Sequence, residues 1–270
     1  MANTAAPFAQ HPIIASEPVS DEERYLFDVQ GFLAVPGILD EHELNELNAL
    51  LDVHVQEQVD PEATMHRFME PSLLHWGQPV VDLIDHPRIR PYLREFMAGS
   101  IRLDHDYADV IRSGRNSFSA TMHGGNTPYD EICSYHFRDG RIRSGLLAVA
   151  LNLHDVPPGQ GGFACIPGSH KSNLPLPPGW ISLESPAGCV RSVPGKAGSM
   201  VIFTEALTHG TLPWLGVHER RTFFLKYSPA GVSWHASVYQ EQSFGNLTEG
   251  QRMLLEGPNA RYGGRRAGVR

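Results

Sequence analysis

What most constrains the fold of this 270-residue chain is the run beyond Gly99. There, short apolar and β-branched stretches succeed one another at 101–107, 117–122, 134–138, 146–153, 162–166, 189–193, 200–204 and 222–227, each closed by Gly, Pro or Asp. Strands this short, with no helical pattern between them, leave no crossover segments for a parallel sheet. They predict a mainly β fold with flanking helices, a double-stranded β-helix of the jelly-roll or cupin-like kind.

Ahead of that run the pattern is helical. A short helix is expected over 21–30 and a strand over 31–39, broken at Pro36. A clear helix follows: Asp40 with Glu43 three residues on reads as a capping box, and Leu44, Leu47 and Leu51 recur at helical spacing. The stretch 61–99 reads as mostly helical, in short pieces separated at His86-Pro87. The expected organisation is a flexible tail over 1–20, one domain over 21–255 with a helical flank (21–99) and a barrel core (100–230), and a flexible Arg/Gly tail over 256–270.

A formal net charge of −8 leaves nothing to neutralise a phosphate backbone collectively, so nucleic acid is not expected as a partner. No apolar run approaches membrane-spanning length, and the first twenty residues lack the basic and apolar regions of a signal peptide. Three cysteines without metal-type spacing fit reduced thiols in the cytoplasm. A monomer or homodimer acting on a small molecule is the expectation.

Fourteen histidines are too many for each to carry meaning, so position has to decide among them. Gly195-Lys-Ala-Gly-Ser-Met-Val-Ile-Phe-Thr-Glu-Ala-Leu-Thr-His209 reads as a turn and a buried strand that delivers His209 to an open rim. His136 follows Ile132-Cys-Ser-Tyr and precedes the turn Arg138-Asp139-Gly140, at the end of an earlier strand. Two imidazoles and one carboxylate bound on one face of iron leave three positions for co-substrate and oxygen. Arg220 or Arg221 then offers a fixed, two-pronged cation for the far carboxylate of 2-oxoglutarate, and strand alternation allows only one of the pair to face a barrel interior.

The run Leu151-Asn-Leu-His-Asp-Val-Pro-Pro-Gly-Gln-Gly-Gly-Phe-Ala-Cys-Ile-Pro-Gly-Ser-His-Lys171, together with Gly-Lys-Ala-Gly-Ser-Met-Val-Ile-Phe…His209…Arg220, resembles the phytanoyl-CoA dioxygenase family of iron(II)/2-oxoglutarate-dependent oxygenases. Asp28-Val-Gln-Gly-Phe-Leu-Ala-Val-Pro-Gly-Ile-Leu39 is similar to that family's opening. The resemblance implies iron(II), 2-oxoglutarate and O2 as cofactors. It casts His136 and His209 as metal ligands and Arg220 as the co-substrate clamp, with Thr211 and Tyr135 as further pocket residues. Pro167-Gly-Ser-His170 reads as a turn.

One departure stands out. The family's first motif is His-X-Asp, but here the chain runs His136-Phe137-Arg138-Asp139. Asp139 reaches the metal only if the strand bulges after Phe137. Otherwise Glu205, Asp106, water or a halide fills that position. His123-Gly124-Gly125 resembles the His-X-Gly of related radical halogenases, but it lies farther upstream of Pro167 than His136, whose separation suits the family better. Trp180 in the proline-rich loop 171–188, Glu131 and Glu205 are the candidate substrate walls. The implied activity is oxidation of a C–H bond of a small organic molecule, by default hydroxylation, releasing succinate and CO2. A radical halogenase or desaturase on the same core, or a non-catalytic ligand-binding barrel, is the alternative.

Overall fold

The computed structural model describes residues 19–113, 120–236 and 239–258. Most of the two expected tails, and residues 117–119 of one expected strand, lie outside the described residues.

The helical flank starts where its caps are. Helix α1 (Asp21–Gln30) begins at Ser20, whose side chain and that of Glu23 satisfy each other's backbone amides. Strand β1 (Phe32–Val35) ends ahead of Pro36, and α2 (Glu41–Gln58) opens on the expected Asp40/Glu43 capping box, with Leu47 and Leu51 buried. Between 61 and 99 the helical expectation holds for α3 (Gln78–Leu83) and α4 (Arg90–Met97), but Met65–Phe68 forms a strand, β2. Met-His-Arg-Phe shows no period-2 apolar pattern; it is an edge strand recruited by pairing with its neighbour.

The barrel core comprises β3 (Ile101–Ile111), β4 (Tyr135–Arg138), β5 (Arg141–Ser144), β6 (Leu147–Asn152), β7 (Gly162–Cys165), β8 (Arg191–Ser192), β9 (Met200–Thr204), β10 (His209–Leu212) and β11 (Arg220–Pro229). Helix α5 (Glu249–Leu255) follows. The main sheet has the order β1-β9-β6-β11-β3-β2, and its pairings are all antiparallel. Opposite it stands β10-β7-β8, which bridges at His123↔His209 and Thr121↔Ser182 extend beyond β10. β4 and β5 form a separate hairpin. This is the mainly β, jelly-roll architecture expected.

The two faces of the main sheet divide the core. One face sends Leu103, Val149, Ile202, Phe223, Leu225 and Tyr227 into a cluster with Leu47, Leu51, Leu74, Ile84 and other residues of the helical flank. The other sends Tyr107, Ala148, Ala150, Val201, Phe203 and Phe224 against Phe163, Cys165 and Val193 of the second sheet. Arg221 points to the helical side and pairs with Asp52 and Glu219, so Arg220 is the one that faces inward. Between β3 and β11 the register slips at Asp104, which sits unpaired between Leu103 and His105 as the extra residue of a bulge.

Candidate active site

Between the two sheets lies a chamber of about 330 Å³. Its walls include Tyr107 and Asp109 of β3, Phe203, Glu205, His209, Phe224 and Lys226, with His123, His105 and Trp234 closing it. A larger groove of about 780 Å³, between α4 and α5, shares no lining residue with the chamber and gathers no histidine.

His209 opens β10, after a tight turn in which Leu207 N–H donates to the Thr204 carbonyl. Strand β9 itself ends at Thr204, so His209 begins the following strand instead of ending this one. Its ring packs on Phe203 and Phe163 and lies 4.3 Å, centroid to centroid, from that of His123. His209 Nδ1 is 2.7 Å from the Leu207 carbonyl and His123 Nδ1 is 3.2 Å from that of Thr121. A carbonyl only accepts, so in both rings Nδ1 carries a proton, and Nε2 is the nitrogen the backbone does not engage. Burial, then the neighbouring His123, pushes the His209 pKa down to about 3 despite Glu205, so the ring is neutral at ordinary pH. A ring nitrogen anchored on the backbone, with the other left basic, is how proteins orient metal-binding histidines.

Glu205 stands four residues before His209, and its Oε2 lies 3.9 Å from His209 Nε2. Its Oε1 accepts from Lys226 Nζ at 2.7 Å. Both side chains are buried. Burial alone would raise the carboxyl, but Lys226 and His209 more than offset it and hold it well below the usual range.

Arg220 lies on the same sheet face as Phe224 and Lys226 and is 1% exposed. Its Nε and Nη1 meet no acceptor among the described residues, and neither does Thr222 Oγ1, two residues along the same face. Burial lowers the Arg220 pKa, and Asp109 opposes it. Gly162, at φ +86, gives this guanidinium room: a Cβ there would meet Val156 Cγ1 at 3.0 Å and Arg220 Nε at 3.4 Å. Buried donors without partners are rare and costly, at about 1–3 kcal/mol each, and Arg220 with Thr222 presents a seat for a carboxylate.

The mouth is organised from the bulge. Asp104 accepts from Arg102 Nη1, His105 Nδ1 and the backbone amides of Trp234 and His235, all within 3.1 Å. These bonds, foremost that of His105, outweigh burial and hold the Asp104 pKa at about 2. Trp234 stacks on His105 at 5.3 Å and is half exposed at the rim. Burial keeps His105 below its ordinary pKa, so its Nε2 is an acceptor. Arg67, bonded through Nε and Nη2 to Asp109, lies 4.2 Å over the Tyr107 ring on the opposite side.

Among the described residues, no three His, Cys, Asp or Glu groups already stand together as a metal cluster. The donor chemistry nevertheless suits iron: two imidazole nitrogens with free lone pairs beside one carboxylate oxygen. The unpartnered Arg220 and Thr222 suit the far end of 2-oxoglutarate.

Residues 27–222 match the model of the phytanoyl-CoA dioxygenase family. The chain belongs to this family. As a phytanoyl-CoA dioxygenase family member it is an enzyme of the oxygenase kind, with iron, 2-oxoglutarate and O2 as its cofactors, as the sequence motifs imply. No curated protein matches the chain. Among solved structures, it is similar to HygX from Streptomyces hygroscopicus with nickel and 2-oxoglutarate bound, at 24% identity over 79% of this chain and 88% of that one, TM-score 0.70. HygX with nickel, 2-oxoglutarate and hygromycin B matches with TM-score 0.69 at 24% identity, over 79% of this chain and 89% of that one. The 2-oxoglutarate-dependent carbocyclase SnoK from nogalamycin biosynthesis matches at 18% identity, over 86% of this chain and 91% of that one, TM-score 0.62. These likenesses establish the fold.

Within this family member the expected site residues fall into two groups. His209, Glu205 and Thr211 line the chamber, and Arg220 lies buried on the same sheet face. His136 and Asp139 do not line it, which corrects the expected ligand set. His136 is exposed on the β4–β5 hairpin, its Nε2 3.1 Å from the Tyr129 hydroxyl. Asp139 is exposed in the hairpin turn at φ 55, where it supplies the left-handed residue a tight turn needs. The bulge that would have turned it toward a metal does not form: β4 and β5 pair without interruption.

Tyr135 bonds Asp28 and packs edge-on against His170, outside the chamber. His170 holds the turn that follows β7, Pro167-Gly-Ser-His170, to α1 through the Asp28 carbonyl. Asp106, an alternative third ligand, points away and accepts from Ser72, Leu73 and Tyr239. Trp180 and Glu131 do not line the chamber. The loop bearing Trp180 instead buttresses the His123 segment, with Met122 N–H donating to Ile181 and Leu183 N–H to Ala120. His123 is thus the histidine that meets His209, and the His-X-Gly pattern was its signal. Thr222 was readable only as the residue two along from Arg220, and Trp234 carried no signal.

Proposed function

We propose that this enzyme couples the oxidative decarboxylation of 2-oxoglutarate to oxidation of a C–H bond in a small organic molecule, by default hydroxylation, releasing succinate and CO2. One observation carries the reading: two imidazoles, each with Nδ1 resting on a backbone carbonyl, share a chamber, and on the same sheet face lies a buried guanidinium whose Nε and Nη1 meet no partner among the described residues. His123 and His209 would hold iron(II), and Arg220 with Thr222 would hold the far carboxylate of 2-oxoglutarate. When bound, iron with 2-oxoglutarate and O2 supplies the oxidising power that breaks the substrate C–H bond.

The chain's own residues do the rest. The backbone carbonyls of Leu207 and Thr121 fix the two imidazoles in the basic tautomer. Arg220 would hold and orient the co-substrate through its far carboxylate. Phe163, Phe203 and Phe224 keep water from its flank, and Trp234 with His105 offers the substrate an aromatic face and one acceptor at the rim. A chamber of about 330 Å³ with this lining suits one small, partly polar molecule or a protruding part of a larger one.

A halogenating variant is favoured by one feature, Gly125 in place of the carboxylate of His-X-Asp. The deciding experiment supplies the protein anaerobically with iron(II) and 2-oxoglutarate, admits O2, and measures succinate and O2 uptake, with and without chloride. Succinate formed in the native protein and absent in His209→Ala is the expected result. No iron binding and no succinate in the native protein would favour the ligand-binding barrel.

A further inference from the structure

We infer that Glu205 is the carboxylate ligand of the metal, supplied from the turn before His209 instead of from a His-X-Asp motif; the inference rests on the iron reading above. The usual position is strained and crowded for any side chain. Gly125 stands at φ +104, and a Cβ there would lie 2.8 Å from Thr208 Oγ1. At Gly124, φ +70, a Cβ would meet the carbonyl oxygens of Leu207 and Glu205 at 2.7 and 2.8 Å. The two glycines let the His123 segment lie flat on the 205–208 turn, with backbone bonds joining His123 and His209 in both directions. The segment that brings His123 to its partner therefore gives up the carboxylate in doing so.

The turn it lies on carries one. Alternation along β9 puts Val201 and Phe203 on the chamber face and continues to Glu205, which lines the chamber. Of its two oxygens, Oε1 is held by Lys226 Nζ at 2.7 Å. Oε2 accepts no hydrogen bond from the described residues and is the oxygen nearer His209 Nε2, at 3.9 Å. Lys226 thereby fixes the carboxylate, leaving a single oxygen for a metal. A buried ion pair is no better for stability than apolar residues of the same shape, so its placement beside two basic imidazoles calls for a role beyond packing.

The test compares anaerobic Co(II) and Fe(II) binding, in the presence of 2-oxoglutarate, by calorimetry and by the absorption spectrum of bound Co(II). The native protein is set against Glu205→Gln, Glu205→Asp and the double variant Glu205→Gln/Lys226→Met, each first shown to be folded by circular dichroism. Glu205→Gln is expected to weaken metal binding by at least about 100-fold, beyond the 10–100-fold usual for an outer-shell change, and to alter the spectrum. Glu205→Asp, which keeps the donor type, is expected to recover part of the affinity. The double variant separates ligation from charge balance: it removes the ammonium that Glu205→Gln leaves unpaired, and it is expected to bind as weakly as the single variant.

Restored binding in the double variant would mean that Glu205 only neutralises Lys226, and would overturn the inference. So would Glu205→Gln binding within about threefold of native with an unchanged spectrum, or a chloride-dependent spectrum in the native protein, which would place an exogenous anion in that position. A native protein that binds neither metal would refute the iron reading itself.

Discussion

Strand β11 alternates between two environments within a single run, Arg-Arg-Thr-Phe-Phe-Leu-Lys-Tyr. Arg221, Phe223, Leu225 and Tyr227 face the helical flank, where the charge is paired and the rest is apolar packing. Arg220, Thr222, Phe224 and Lys226 lie on the opposite face, where the guanidinium Nε and Nη1 and the Thr222 hydroxyl meet no partner among the described residues and the ammonium is committed to Glu205. One face is built for burial and the other for binding, although the backbone bonds are common to both. The lesson is that full burial alone does not tell scaffold from site; unsatisfied or unusually paired polar atoms do.

Substitutions that separate the two faces test this contrast. On the chamber face, His209→Ala should abolish succinate formation, more than about 100-fold, while circular dichroism still reports a folded protein, its thermal midpoint lowered by the loss of ring packing on Phe203 and Phe163. On the helical face, Phe223→Ala should cost about 3–5 kcal/mol in denaturant unfolding yet leave the KM for 2-oxoglutarate unchanged at low temperature. Returning to the chamber, Arg220→Gln should raise the 2-oxoglutarate KM by roughly 10–100-fold, from the loss of a charge-assisted bond of about 1.5–3 kcal/mol, without lowering stability. A destabilised Arg220→Gln protein would break the comparison, because it would show the guanidinium to be structural.

Two smaller effects sharpen the boundary. His170 holds the turn after β7 to α1, and burial lowers its pKa to about 4 from an ordinary 6.5. The unfolded chain therefore binds this proton more readily than the native one. The stabilisation from neutral His170 is full above about pH 6.5 and is lost as pH falls toward 4, on the order of 2 kcal/mol. Unfolding measured from pH 7 to pH 4 should show this slope, reduced in His170→Gln. Replacing the Ser20 cap by Ala should cost only about 1 kcal/mol and leave turnover intact, which thermal unfolding beside a succinate assay would check.

Much of the fold was legible because its signals are local. The capping box at Asp40 and the apolar runs of β6 and β9 mark themselves in sequence, while the Ser20 box, in a stretch expected to be a flexible tail, shows itself only in the structure. β2 was not, since Met-His-Arg-Phe becomes a strand only through its pairing with β3. In the site, His209 and Arg220 were legible because each follows an apolar strand pattern or sits at the head of one. The choice of His136 over His123 failed on the same logic. Both histidines end a strand-like stretch, and only the docking of Gly124 and Gly125 on the 205–208 turn distinguishes them, a contact between segments some eighty residues apart. Lys226 carried no signal in the sequence; its pairing with Glu205 exists only through the fold.

The bulged Asp104 gathers an arginine, a histidine ring and two amides from residues 234 and 235 onto one carboxylate. The segment that follows β11 is thus tied to the start of β3 at a single knot made of residues some 130 apart in sequence. Loosening that knot would free Trp234 without unpicking a sheet, and the expected outcome is local opening of the rim below the free energy of global unfolding, read by hydrogen exchange. The Trp234 and His235 amide protons are its reporters: their exchange with solvent clocks how often the rim lifts, and a bound substrate that leans on Trp234 slows that clock.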